Sequence, residues 1–202
     1  LPPMASNFPE LIESREIRGT IDDGFNWVVI EFGEALEIAF LPVLRFLNSI
    51  ENALLWLPWY LVMLLLALFA YQATRSAKFA GGTIVMLFLT GLFGMWEPAM
   101  ATIALMLVAT LLAVIVGIPL GIGMSRSNVF QGILTPVLDI MQTLPIFVYL
   151  IPFVMLFGPG KIPALLATIV FAVPPVIRLT NLGIRQVDRE VMEAVVAFGA
   201  TP

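Results

Sequence analysis

From Asn52 onward, long apolar stretches alternate with short polar or glycine-containing connections, and each stretch is long enough for one bilayer crossing, which needs roughly 17–25 residues. Five crossings are expected: about Asn52–Ala73, Phe79–Trp96, Ala99–Met124, Ile133–Phe157 and Ile162–Thr180. The connections between them are Thr74–Lys78, Glu97–Pro98, Ser125–Gly132 and Gly158–Lys161. Upstream the pattern differs. Residues 1–26 are polar, carry Pro2, Pro3, Pro9, Gly19 and Gly24, and read as an irregular tail without the basic start and apolar run of a signal peptide. Asp22 and Asp23 then stand where a helix start favours acids, ahead of an amphipathic run from Phe25 to Leu47. Glu31, Glu34, Glu37, Arg45 and Asn48 share one side of that helix, with Trp27, Phe32, Leu36, Phe40, Val43 and Leu47 on much of the rest. Three acids make a crossing costly, so this run is expected to lie along the membrane interface or, alternatively, against another subunit. The expected fold is an all-α polytopic transmembrane helical bundle. Residues 1–51 form an external tail and interfacial helix, and residues 52–202 the transmembrane domain.

Composition supports a membrane protein and excludes several functions. The 202 residues are 60% hydrophobic and 12% charged, with a mean hydropathy of +1.00; soluble domains carry roughly a quarter charged residues. A net charge of −4 leaves no footprint for nucleic acid. With neither His nor Cys, the chain holds no HExxH zinc site, no Ser-His pair and no thiolate nucleophile or metal ligand. No metal or cofactor is expected. The nearest approach to a P-loop, Met155 to Ile162, lacks its first glycine and its Ser/Thr, so the chain is not expected to hydrolyse ATP.

The cations give an orientation. Arg75, Lys78, Arg126, Arg178, Arg185 and Arg189 all fall on one side if the crossings alternate, and that side is then cytoplasmic. Lys161 is the one exception. Residues 1–51, with nine acids against three bases, are placed outside.

The apolar stretches are interrupted. Pro58, Pro119, Pro136, Pro145, Pro152, Pro174 and Pro175 remove backbone hydrogen bonds inside them. Packed kinks would account for most of these, yet so many breaks favour a bundle that changes shape. Gly117 and Gly121 make a small-xxx-small face for close helix contact. Asp139 is the acid inside a crossing, with Gln142 and Thr143 one turn on and Pro145 opening the backbone beyond. Two readings stand: Asp139 lines a polar translocation path, or it caps or pairs with a neighbouring helix. Trp56, Trp59, Tyr60 and Trp96 near the external face suit either an interfacial belt or, less simply, a cation–π cage.

After the fifth crossing, Asp188 begins a short amphipathic helix that ends at Gly199, suited to a partner's groove. Here Glu193-Ala194-Val195 followed by Gly199 resembles the EAA-x3-G loop of binding-protein-dependent ABC transporter permeases, with Val195 in place of the usual second Ala. Met141–Leu150, Phe157-Gly158, Lys161–Pro163, Ala172–Thr180 and Gly183–Gln186 resemble the glycine betaine/proline betaine (quaternary amine) permeases in particular. That resemblance, over roughly residues 24–202, implies that further crossings follow Pro202. It also implies a bacterial inner-membrane protein in which two permease copies pair with two cytoplasmic ATPase subunits and an external binding protein delivers the solute. Glu193, Ala194, Phe198 and Gly199 would then dock on the ATPase. Asp139, Gln142, Thr143, Pro145 and Tyr149 are the candidate pathway residues. Choline or trimethylamine N-oxide are alternative solutes, and an ATP-independent secondary transporter or a membrane scaffold are alternative functions.

Overall fold

The computed structural model describes residues 14–188 together with 191, 193 and 197–199. Seven helices occur among the described residues: α1 (Ser14–Trp56), α2 (Trp59–Thr74), α3 (Ala77–Leu92), α4 (Trp96–Arg126), α5 (Asn128–Thr143), α6 (Ile146–Phe157) and α7 (Lys161–Arg185). The chain divides into two units at Leu41/Pro42.

The first unit corrects the expected tail over residues 14–26, while residues 1–13 lie outside the described residues. Helix α1 is already formed at Ser14, so Asp22 and Asp23 lie inside it and do not open it. Between Pro9 and Pro42 the sequence has no proline, so nothing stops helix propagation through that stretch, and the glycines weaken it without ending it. The helix also runs past residue 51. Its segment Ile38–Trp56 is 19 residues long and apolar enough to cross a membrane, because the acids cluster upstream of it.

Proline sets the breaks in the second unit. Pro58 has no N–H to offer the carbonyl of Leu54 and restricts Leu57 before it. The first expected crossing is therefore split: α1 ends at Trp56 and Pro58, at φ −55°, starts α2. Helices α2 and α3 are 16 residues each, about 24 Å at the helical rise, shorter than the stretches drawn from hydropathy. α4, at 31 residues, and α7, at 25, are full-length candidates for crossings. The fourth expected crossing is broken into α5 and α6, bent by 87°. Among the described residues, three helices can cross by length and composition, or four if that bent pair counts as one.

The core runs along α4 and α7. Met100, Ala104, Val108, Ala113, Gly117 and Gly121 recur at helical spacing and are buried. One cluster packs Ala104, Val108 and Ala109 on Leu165 of α7 and Leu47 of α1. A second joins Ala113 and Met124 to Leu138 of α5 and to Val173 and Ile177 of α7. Lipid tails are as apolar as these side chains, so what holds the pair is close packing. A Cβ on Gly117 would lie 2.7 Å from Val176 Cγ1, and one on Gly121 would lie 2.5 Å from the Thr180 Cβ. The small-xxx-small face is therefore the contact that sets how closely α4 approaches α7.

Lys161, the exception in the charge pattern, has its own explanation. At the start of α7 its ammonium donates to Asn48 Oδ1 at 3.0 Å and pairs with the carboxylate of Glu51. Its charge is neutralised locally, so it need not follow the distribution of the other cations.

Candidate functional site

Three of the residues expected along a pathway, Thr143, Pro145 and Tyr149, meet at the α5–α6 break. Residue i+4 from Met141 is Pro145, which has no N–H, so the Met141 carbonyl loses its helical donor. Tyr149, one turn into α6, supplies the replacement: its hydroxyl donates to Met141 O at 3.1 Å. The Ile140 carbonyl accepts from the Leu144 amide at 3.1 Å and from Thr143 Oγ at 3.1 Å. The break is thus closed by side chains that the sequence supplies at fixed offsets, and Thr143, Pro145 and Tyr149 act as one unit. Replacing Tyr149 by Phe should leave a carbonyl unmet and cost about 1–3 kcal/mol. SDS-titrated unfolding of the full-length permease checks this; an unchanged midpoint would show that the hydroxyl does not hold the break.

Asp139 is engaged elsewhere. Its carboxylate pairs with the guanidinium of Arg178, Nη2 to Oδ1, linking α5 to α7. The sequence reading had left pairing open as one of two roles, and the pair is present. The charge pattern counts Arg178 only among the cations of the expected cytoplasmic side. The structure places it within α7, which continues to Arg185. The signal was available: a cation seven residues before a helix end in a membrane protein calls for an acid at similar depth, and Asp139 was at hand. Gln142 and Thr143 are exposed one turn along α5 from Asp139.

A second polar knot had no forecast. Arg185, the last residue of α7, donates through Nη2 to the Met124 carbonyl at 3.1 Å and to Asn128 Oδ1 at 2.8 Å, and through Nε to Asn181 Oδ1 at 3.0 Å. Met124 O is near the end of α4, and Asn128 is the first residue of α5, whose start is capped by Ser127 Oγ accepting from Phe130 N at 3.2 Å. One guanidinium therefore ties three helix ends together, just ahead of the segment that begins at Asp188.

In that segment Val191, Glu193 and Ala197 are helical and exposed, and Phe198 and Gly199 form an exposed turn. Gly199 has φ +88°, the left-handed conformation of a helix stop, as its position in the sequence implied. Ala194 lies outside the described residues, as does Arg189. At the other end of the bundle, Trp56, Trp59 and Trp96 line one cavity of about 590 Å³ with Phe88 and Leu92. Tyr60 does not line it; its ring packs edge-on against Trp59, centroids 5.7 Å apart. Among the described residues no group of three acidic side chains could hold a metal ion.

A bundle broken by prolines, with an exposed helix and glycine stop at one end, can be set against known proteins. Residues 113–202 match the family of binding-protein-dependent transport system inner membrane components. Over those residues the chain is similar to that family. The match takes in α5, α6, α7 and the segment through Gly199. Over 182 residues, 90% of this chain, it is 43% identical to the glycine betaine/proline betaine transport system permease protein ProW of Escherichia coli K12, of which 51% is covered. The glycine betaine transport system permease protein OpuAB of Bacillus subtilis is 36% identical over 182 residues, 90% of this chain and 64% of that protein. The trimethylamine N-oxide transport system permease protein TmoV of Ruegeria pomeroyi is 40% identical over 147 residues, 72% of this chain and 22% of that protein. The chain spans about half the length of ProW. This likeness and the helical bundle agree with the fold and the family resemblance that the sequence motifs implied.

Proposed function

We propose that this chain is part of the permease of an ABC importer that takes up glycine betaine or a related quaternary amine. A separate cytoplasmic ATPase supplies the energy, and an external binding protein delivers the solute. The observation that carries the substrate class is the 43% identity over 90% of the chain to a permease named for glycine betaine and proline betaine. In this reading two permease copies pair, the amino-terminal region lies outside, and the bends at Pro58 and Pro145 are where the bundle changes shape. Glu193, Ala194, Phe198 and Gly199 dock in the ATPase, and Arg185 holds the α4–α5 turn to the root of that docking segment. Asp139, Gln142, Thr143, Pro145 and Tyr149 border the path. Trp56, Trp59, Tyr60 and Trp96 anchor the bundle at the outer interface.

A second reading, trimethylamine N-oxide as the solute, is supported by the 40% identity to TmoV. Both are tested in a bacterial host stripped of its own osmolyte importers. The full-length permease is expressed there with its ATPase and binding protein, and uptake of labelled glycine betaine is followed with choline and trimethylamine N-oxide as competitors. Glycine betaine uptake that resists both competitors supports the main reading. Uptake of trimethylamine N-oxide alone replaces it with the second.

A further inference from the structure

We infer that the Asp139–Arg178 pair is an exchangeable ion pair that receives a zwitterionic solute, its cationic end on the Asp139 carboxylate and its carboxylate on the Arg178 guanidinium. The inference rests on the permease reading above and names the groups that would meet the solute. Three features of the pair carry it.

The contact uses only half of what arginine offers. A guanidinium binds a carboxylate best through two parallel N–H donors, yet Asp139 is met by Nη2 alone. Arg178 Nε is buried and has no hydrogen-bond partner among the described residues. A buried donor left unmet costs free energy, and an incoming carboxylate can recover it by taking Nε and Nη2 together. A pair built only to fasten α5 to α7 has no use for the spare donor.

Access is the second feature. The side chains retain 38% (Arg178) and 56% (Asp139) of their exposure, so both can be approached, while the buried Nε is reached only as the contact with Asp139 opens. The third is charge balance. Opening an ion pair without supplying new partners leaves both charges uncompensated. A zwitterion presents the same two charges as the pair it opens, so each protein charge regains an opposite partner and net charge is unchanged. A cation without a carboxylate would satisfy Asp139 and leave Arg178 unpaired. The site therefore favours betaines over simple quaternary amines, with the exposed Gln142 beside it on α5.

The test measures equilibrium binding of labelled glycine betaine, and separately of labelled choline, to the full-length permease with its ATPase in nanodiscs. The binding protein is omitted so that only permease sites report. Arg178→Lys keeps the charge that links α5 to α7 but removes the fork; Asp139→Asn removes the cation's partner. Glycine betaine is expected to bind at least tenfold more weakly to each variant. Choline binding should fall with Asp139→Asn and stay within twofold with Arg178→Lys, a split that general damage to the fold would not produce. Equal affinities in all three proteins would overturn the inference. So would absence of saturable glycine betaine binding to a wild-type complex that takes the solute up in parallel proteoliposomes. Arg178-dependent binding without any uptake would count against the transport reading and leave the site standing.

Discussion

Replacing Gly121 with leucine is expected to prevent the bundle from assembling. Even the first side-chain atom has no room: a Cβ there would lie 2.5 Å from Thr180 Cβ and 2.9 Å from the Ile177 carbonyl oxygen. The carbonyl belongs to the backbone of α7, so a rotamer change cannot relieve the contact and the two helices must separate. Separation withdraws Ala113 and Met124 from Val173 and Ile177, the cluster that centres the bundle. Overpacking of a filled core costs about 1–3 kcal/mol even where neighbours can yield, and here one neighbour is main chain. Gly121→Ala should therefore lower stability by an amount in that range, and Gly121→Leu should abolish accumulation of the permease in the membrane. Gly132 supplies the control, since a Cβ there meets nothing within 4 Å. Gly132→Ala should be neutral or stabilising by about 0.5–1 kcal/mol, through helix propensity alone. Membrane abundance and SDS-titrated unfolding of the full-length protein check all three. Equal abundance of Gly121→Leu and Gly132→Ala would show that α4 and α7 are not packed at these glycines.

The second large effect is on coupling. Glu193→Arg is expected to reduce ATP-driven uptake at least twentyfold while leaving the permease at normal abundance in the membrane. Glu193 is exposed on the short helix that follows α7, and the helix stops at Gly199, so the substitution leaves the two core clusters untouched. Under the proposed docking role, what it reverses is a charge presented to the ATPase. Placing a like charge across a docking surface costs several kcal/mol, and each 1.4 kcal/mol is tenfold in affinity. Phe198→Ala should act in the same direction by removing the exposed apolar knob of the turn. The measurement is ATPase co-purification with the permease beside solute uptake. Loss of uptake with the ATPase still bound in full would place Glu193 outside the docking surface.

Much of the fold was legible because membrane helices announce themselves by length and composition. α4 and α7 fell within a few residues of their expected bounds, and Gly117 and Gly121 marked the packed face from spacing alone. What failed did so for identifiable reasons. Hydropathy averages across proline, so Leu57-Pro58 and Leu144-Pro145 were carried inside continuous stretches although each ends a helix. The amino-terminal helix began earlier than expected because prolines and glycines were weighed alike, whereas only proline blocks propagation. At the candidate site, Asp139, Thr143, Pro145 and Tyr149 were named for polarity or for family resemblance. Their geometry adds a reason from backbone chemistry: Tyr149 occupies the donor position that Pro145 vacates. Arg178 and Arg185 were missed as members of polar clusters because cations near a crossing were counted for orientation only. Their partners, Asp139 and the α4–α5 turn, are 39 and 57–61 residues away in sequence, beyond what local spacing can show.

The most direct test of the transport account places the full-length permease in proteoliposomes with its cognate ATPase and binding protein. Uptake of labelled glycine betaine is then followed with and without ATP. The account predicts saturable uptake that requires ATP, requires the ATPase and disappears with Glu193→Arg. Uptake that continues at the same rate without the ATPase would contradict it and assign the chain to secondary transport.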